Sequence, residues 1–514
     1  MLRRVLNLVF SRIVVTGVLL LLQAFWLFAL FYWLADYAKW FGGVGVAMSI
    51  VMCLALIRQD STVPEFKISW MILFAVMPVQ GGILYLLWGN KRPALGLRHR
   101  LERAEDAMAP ARKDDPDAAA ALQRQDPRAA LTARYLHDYG PMPVCGGTAA
   151  KYYPDGQSMF ADMLPALRGA QHSIYVESFI IGMGEMWGQI HEILRRKAAA
   201  GLDVRVIYDD AGCLSLLPHN YAEMMRADGI RAFSFNRCVP VLNLVMNNRD
   251  HRKIMVIDGK IGFTGGINLS DEYINRTSRL GHWKDTAIAL RGDAVRSLTL
   301  MFLQMWDVSS VHFTPEVYSK YLDVPQPVRE KEPGYVIPYG DSPLDRDLVG
   351  EMVYMDIINR ANRYVHIMTP YLIIDNEMIT ALTYAARRGV EVQLILPHVP
   401  DKEIAFSLAH TYYRRLLENG VQIYEYEPGF VHAKVFVSDD CKATVGTINL
   451  DYRSLYHHFE CGTYLYASPE VAKIEQDFQQ TLAKCVRADM DLLKNDPFMR
   501  KLIGPGMRII APLL

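Results

Sequence analysis

Two copies of one pattern, in the same register, constrain this chain more than any other feature. Asn247–Asn268 reads NNRDHRKIMVIDGKIGFTGGIN, and Phe430–Asn449 reads FVHAKVFVSDDCKATVGTIN. Each copy runs His-x-Lys, four residues, Asp, six residues, a Gly-Gly or Gly-Thr pair, one residue, and Asn. The matched sets are His251, Lys253, Asp258, Gly265, Gly266 and Asn268, and His432, Lys434, Asp439, Gly446, Thr447 and Asn449. A single occurrence is compatible with chance, whereas two in register mark a duplicated unit.

The runs around the motif, KIMVID and AKVFVSD, are β-branched and apolar, the mark of buried strands. Side chains alternate faces along a strand, so His251 and Lys253 point one way together, as do His432 and Lys434. Asp258 and Asp439 fall where each run gives way to Asp-Gly or Asp-Asp, a turn signal. A second strand returns (IGFTGGIN, ATVGTIN), with small residues that let backbone approach a ligand and an Asn that adds donors. Each half thus offers an imidazole, an ammonium and a carboxamide. Such a set suits a tetrahedral phosphate: Lys253, Lys434, Asn268 and Asn449 take its charge, and the imidazoles act as nucleophile and general acid.

The surrounding chain is α/β and runs twice. Helix and strand patterns alternate from about Thr148 to the first motif, and again from GEMVYMDIINRA to the second. Equivalent features lie roughly 180–190 residues apart, too far for a solenoid repeat, so a whole domain is duplicated. Alternating strands and helices imply mixed or parallel sheets covered by helices. Residues 148–324 form the first domain, 325–340 a proline-rich linker, and 341–514 the second domain.

Ahead of them, residues 1–90 contain three apolar runs, Ile13–Ala35, Phe41–Ile57 and Ile68–Gly89, the last interrupted by Pro78 and Gly81-Gly82. They predict an α-helical transmembrane region of two to three helices. Arg3, Arg4 and Arg12 precede the first run, and Lys91, Arg92, Arg98, Arg100 and Arg103 follow the third. Both flanks favour the cytoplasmic side, so one run dips in or lies in the interface. Residues 91–147, rich in Ala, Arg, Asp and Pro, read as a polar helical tether without a core.

Lys plus Arg and Asp plus Glu both number 55, so no basic excess advertises nucleic acid. The seven cysteines are scattered without a CxxC, and no cluster suggests a metal. Neither metal nor cofactor is expected. His457 and His458 are adjacent, so on a strand they face opposite ways and do not easily share a ligand.

With its doubled motif the chain resembles the phospholipase D superfamily. GHWKDTAIALRG, MTPYLIIDNEM, YEYEPGFVHAKVFVSDD and TINLDYRSLYHHFECG are similar to the bacterial cardiolipin synthases. Gly-Gly and Gly-Thr stand where many relatives have Gly-Ser, which removes a hydroxyl donor from the first half. The resemblance implies two halves packed with pseudo-twofold symmetry and an active site on their seam. It implies His251, Lys253, Asp258, His432, Lys434 and Asp439 as the catalytic set, with His251 as nucleophile and His432 as acid/base. The two motif aspartates, at the far ends of their strands, also suit anchoring a turn or a lysine. An acid at about the position of Asp285 and of Glu460 holds the far nitrogen of each histidine. The implied reaction moves a phosphatidyl group between two phosphatidylglycerols, through a phosphatidyl-histidine, in the bacterial inner membrane. Hydrolysis by the same motifs, or a nuclease on the same scaffold, are the rival readings.

Overall fold

In the computed structural model, the described residues are 42–59, 64–85, 95–238, 248–277, 279–310, 332–344 and 347–513, with Leu322 and isolated positions between 18 and 32. Asn247, most of the first apolar run and the start of the proline-rich linker lie outside them.

Two mixed sheets carry the fold. The first has the order Ala149–Tyr153, Ala287–Arg291, Ile261–Gly265, Lys253–Ile257, Ser173–Ser178, Asp203–Asp209, Arg231–Phe235. The second repeats it with Tyr335–Asp341, His458–Tyr466, Lys442–Gly446, Val435–Ser438, Tyr364–Met368, Glu391–Pro397 and Gln422–Tyr426, then adds Cys485–Arg487 at the edge. In both, the motif strand runs antiparallel to its neighbours, and the next three strands are mutually parallel. Lys253–Ile257 and Val435–Ser438 are buried throughout, in keeping with apolar sequences that do not alternate.

The helix Val295–Ser309 joins the halves. Its residues from Leu298 to Val308 are all buried, and it packs against strands of the first sheet and against Tyr335–Asp341 of the second. Apolar side chains on most of its circumference suit a helix inside the molecule, with Thr299, Gln304 and Asp307 buried among them. Its Leu298 and Phe302 belong to one core with Ile337, Tyr339, Val445 and Leu465.

Three boundaries differ from expectation. Tyr335–Asp341, assigned mostly to the linker, is the edge strand of the second sheet and pairs antiparallel with His458–Tyr466. The helical stretch 91–147 is not a tether without a core: it forms the helices Leu95–Met108, Pro116–Gln125 and Pro127–Asp138, and these are packed. Their Leu101, Ala104, Met108, Leu122, Ala129 and Leu136 join the main core. Alanine and leucine at i, i+3 and i+4 make a narrow apolar stripe, masked in the composition by the charges opposite. The third difference concerns the amino-terminal runs. Gly42–Ile57, Pro64–Val76 and Pro78–Leu84 are helices, with the break at Met77–Pro78, and they pack on one another through Leu56, Trp70 and Phe74. Among the described residues no helix is long and apolar enough to cross a membrane. This bundle docks on the second half: Phe66 lies edge-on to Tyr452 and Tyr456, and the Ser69 hydroxyl donates to the Ile509 carbonyl at 2.5 Å.

Candidate active site

The short segment before each motif reaches into the opposite half. Arg249–Asp250, just before His251, pairs in parallel with His458–Phe459 of the second sheet, and the His251 N–H donates to the Phe459 carbonyl at 2.9 Å. Reciprocally, Gly429–Val431 pairs in parallel with His282–Lys284 of the first half, and the His432 N–H donates to the Lys284 carbonyl at 2.7 Å. Parallel register then fixes which side chains meet. His251 lies beside Glu460, and His432 beside Asp285.

Both contacts are hydrogen bonds. His251 Nδ1 is 2.9 Å from each oxygen of Glu460, and His432 Nδ1 is 2.6 Å from Asp285 Oδ2. An ionised carboxylate only accepts, so Nδ1 carries the proton in each ring and the Nε2 lone pair is left for chemistry. Glu460 also accepts from the Thr447 hydroxyl. In the first half Gly266 holds the corresponding place, where an added Cβ would lie 2.0 Å from Asp285 Oδ1. The missing hydroxyl there leaves the space that Asp285 fills.

Burial sets the protonation states. It pushes His251 well below the usual imidazole value and His432 down to about 4, with the lysine ammonium of the same motif adding to the effect and the paired carboxylate opposing it. Both imidazoles therefore rest neutral. Burial also raises Glu460, but its contacts with the His251 and His458 rings outweigh that and hold the carboxyl below its ordinary range. The lysines are depressed chiefly by burial, Lys253 to about 8 and Lys434 to about 7. Lys434 is lowered further by the charge of Lys253, and Lys253 feels Asp285, so the two motifs share one electrostatic site. Lys253 Nζ donates to the His251 carbonyl at 2.6 Å, Lys434 Nζ to that of His432, and Lys434 Nζ is also 2.8 Å from His432 Nδ1.

Asp258 and Asp439 do not belong to this centre. They occupy the far ends of their strands with φ of 53° and 55°, each starting a tight turn. Asp258 accepts from the main-chain N–H of Gln171, His172 and Ser173, and Asp439 from those of Asn362, Arg363 and Tyr364. The expectation that they are catalytic is corrected: a carboxylate with three backbone donors is an anchor. The asparagines differ between halves. Asn268 is engaged at both ends, accepting from Ile180 N–H at 3.0 Å and donating to the Tyr273 hydroxyl at 2.6 Å, whereas Asn449 Oδ1 is buried with no hydrogen-bond partner among the described residues.

Sequence reasoning passed over three neighbours of the centre. Arg252, 2% exposed, donates from Nε to the Glu460 carbonyl at 3.2 Å. Phe179 lies edge-on to His251 with ring centres 4.9 Å apart. The third is His458. A helix ends at Tyr456 and the strand starts at His458, so the two adjacent histidines are not on one strand, and His458 lies beside His251 with ring centres 5.5 Å apart. Register across the seam brings Arg252 and His458 to Glu460 and His251, and register within the first sheet brings Phe179, and neither was readable beforehand. Among the described residues, His251, His458 and Glu460 are the one trio with donor atoms close enough for a metal, within 4.8 Å of one another. His251 Nδ1 and both Glu460 oxygens are already spent on each other and on Thr447.

The family model described as cardiolipin synthase, phospholipase D-like domain, matches residues 163–306 and 354–482, one stretch in each half. The chain belongs to this family. A phospholipase D-nuclease amino-terminal model matches residues 46–90. Curated relatives include cardiolipin synthases from Alkalihalophilus pseudofirmus, 34% identical over 91% of this chain and 92% of that protein, and from Geobacillus kaustophilus, 33% identical over 91% and 93%. Among solved structures, the phosphatidylserine synthase of Haemophilus influenzae matches with a TM-score of 0.58 at 16% identity, over 75% of this chain and all of that one. That likeness concerns the fold alone.

Proposed function

We propose that the chain is a phosphatidyltransferase that makes cardiolipin and glycerol from two phosphatidylglycerols. The observation that carries this reading is the reciprocal pairing of His251 with Glu460 and His432 with Asp285 across one seam. Family membership and the cardiolipin synthases among its relatives support the choice of reaction.

In the first step the Nε2 lone pair of one imidazole attacks phosphorus, the bond to the glycerol headgroup oxygen breaks, and the partner imidazole supplies the proton that oxygen needs. In the second step the partner takes the proton of an incoming glycerol hydroxyl, whose oxygen displaces the histidine and forms cardiolipin. The phosphodiester anion itself favours protonation of the partner, which is neutral in the empty site. Lys253 and Lys434 turn from the main-chain carbonyls towards phosphoryl oxygens, and Asn449 supplies an amide. Asn268 serves by bracing the loop at Ile180. Asp285 and Glu460 hold the tautomers and offset the positive charge of the phosphorylated ring.

The amino-terminal helices hold this centre against a lipid bilayer of the bacterial cell membrane. Val46, Ile50, Val51, Leu54, Ile57, Ile68, Ile72 and Val76 expose apolar side chains on them. Membrane phospholipids are the partners; nucleic acid is not. The test is incubation of purified protein with phosphatidylglycerol in detergent and mass analysis of the lipids. Cardiolipin with released glycerol is expected. Phosphatidic acid alone would mean hydrolysis, and nuclease activity without lipid turnover would overturn the reading.

A further inference from the structure

The two halves place a ring at the same point over each catalytic histidine, but not the same kind of ring. In the crossed ladders Trp283 pairs with Phe430, two residues before His432, and His458 pairs with Arg249, two residues before His251. Trp283 lies 5.4 Å from His432 between ring centres at 43°, and His458 lies 5.5 Å from His251, also at 43°. His458 is therefore the pseudo-twofold counterpart of Trp283. An indole can only donate through its one N–H, while a neutral imidazole donates at one nitrogen and accepts at the other.

His458 is 9% exposed, yet neither ring nitrogen has a hydrogen-bond partner among the described residues. Buried polar groups are rarely left so, and a bound ligand is one way of completing them. Its nearest charged neighbour is Glu460, whose Oε1 lies 3.7 Å from Nδ1. The carboxylate draws the proton to Nδ1, which leaves Nε2 as a lone pair in need of a donor. A phosphodiester's own oxygens only accept and cannot meet that need. A hydroxyl can.

We propose that His458 is a specificity residue that accepts a hydrogen bond from a free hydroxyl of the polyol headgroup bound beside His251. This rests on the transferase reading above and adds to it what the centre selects: an alcohol carrying a second hydroxyl near the one that reacts. A buried acceptor with no other partner discriminates against an alcohol that lacks this hydroxyl, because the lone pair then stays unpaired. Phe179, edge-on to His251 and stacked on His458 with ring centres 6.5 Å apart at 29°, keeps the ring from turning aside.

The test is a competition. Purified full-length protein, with phosphatidylglycerol in detergent as donor, receives equal amounts of isotope-labelled glycerol and 1-propanol, and the two phosphatidyl alcohols are weighed by mass spectrometry. The wild type should favour glycerol. His458→Phe keeps a ring of similar shape, as Trp283 does opposite, and the glycerol-to-propanol product ratio should fall about tenfold. His458→Asn restores an acceptor oxygen and should recover much of the ratio. An unchanged ratio in His458→Phe, or no recovery in His458→Asn, overturns the role of His458 and leaves the transferase reading standing. Absence of any phosphatidyl alcohol from the wild type overturns both. Thermal melting of each variant separates lost selectivity from lost fold.

Discussion

The sharpest perturbation is Glu460→Gln, a change in the second half that should disable a histidine in the first. Glu460 is fully buried, meets His251 Nδ1 at 2.9 Å through both oxygens and accepts from Thr447. Glutamine keeps the shape but removes the charge and replaces one acceptor by a donor. A charge-assisted hydrogen bond contributes about 1.5–3 kcal/mol. Uncovering a buried cation costs about 3–5 kcal/mol, and here the cation is the ring once phosphorus is attached. At 1.36 kcal/mol per decade, a loss of about 3–4 kcal/mol lowers kcat by about 10²–10³-fold. Glu460 does not touch the lipid, so KM should change little. Initial rates of cardiolipin formation, read by mass, give kcat and KM, and a melting curve run alongside reports folding. A folded variant within about threefold of wild-type kcat would refute the crossed pairing as the source of activity.

Three further outcomes follow from the same geometry. Asp258→Ala should lower stability by about 1–3 kcal/mol, since three main-chain donors lose their acceptor, while kcat of the folded fraction persists; urea melts and rates at low temperature check this. Gly266→Thr, which makes the first half match the second, should cut activity at least about tenfold because its side chain displaces Asp285 from His432, whereas Thr447→Gly should be milder; parallel rate assays decide the order. The pH profile should be lopsided. With His432 depressed to about 4, the imidazoles stay neutral down to mildly acid pH, whereas Lys434 at about 7 and Lys253 at about 8 shed their charge above neutrality, so kcat/KM should fall from pH 7 to pH 9. A rate still rising at pH 9 would contradict it. Stability moves the opposite way. Lysines whose folded pKa lies below the unfolded value favour the folded state fully above about 10.5 and lose that contribution as pH falls towards 7–8.

Much of the centre was legible in the chain because its parts are local. His251 with Lys253, and His432 with Lys434, share a face by strand alternation, and the Asp-Gly and Asp-Asp turns follow directly from the sequence. The alternation of elements gave the two mixed sheets. Partnerships across the seam were not local. Glu460 is paired with His251 through the parallel register of Arg249–Asp250 on His458–Phe459, which no pattern in either segment announces. The aspartates carried two readings, catalytic and anchoring, because a motif groups residues by spacing, and only their main-chain partners at the strand ends separate the two. His458 was set aside on the assumption of one continuous strand, which the helix Tyr452–Tyr456 interrupts. The helices at 95–138 were hidden by composition: alanine makes a thin apolar stripe that becomes core only when Val295–Ser309 and the second sheet lie against it.

The exchanged strands also bear on when the centre comes into being. During synthesis His251 leaves the ribosome long before Glu460, so a nascent first half presents this imidazole without the carboxylate that pairs with it. The same holds for a fragment cut between the halves, and for His432 in any chain that lacks Asp285. Competence is thus withheld until translation has finished and the two lobes have closed on each other. A growing polypeptide carries an incomplete centre until that final closure.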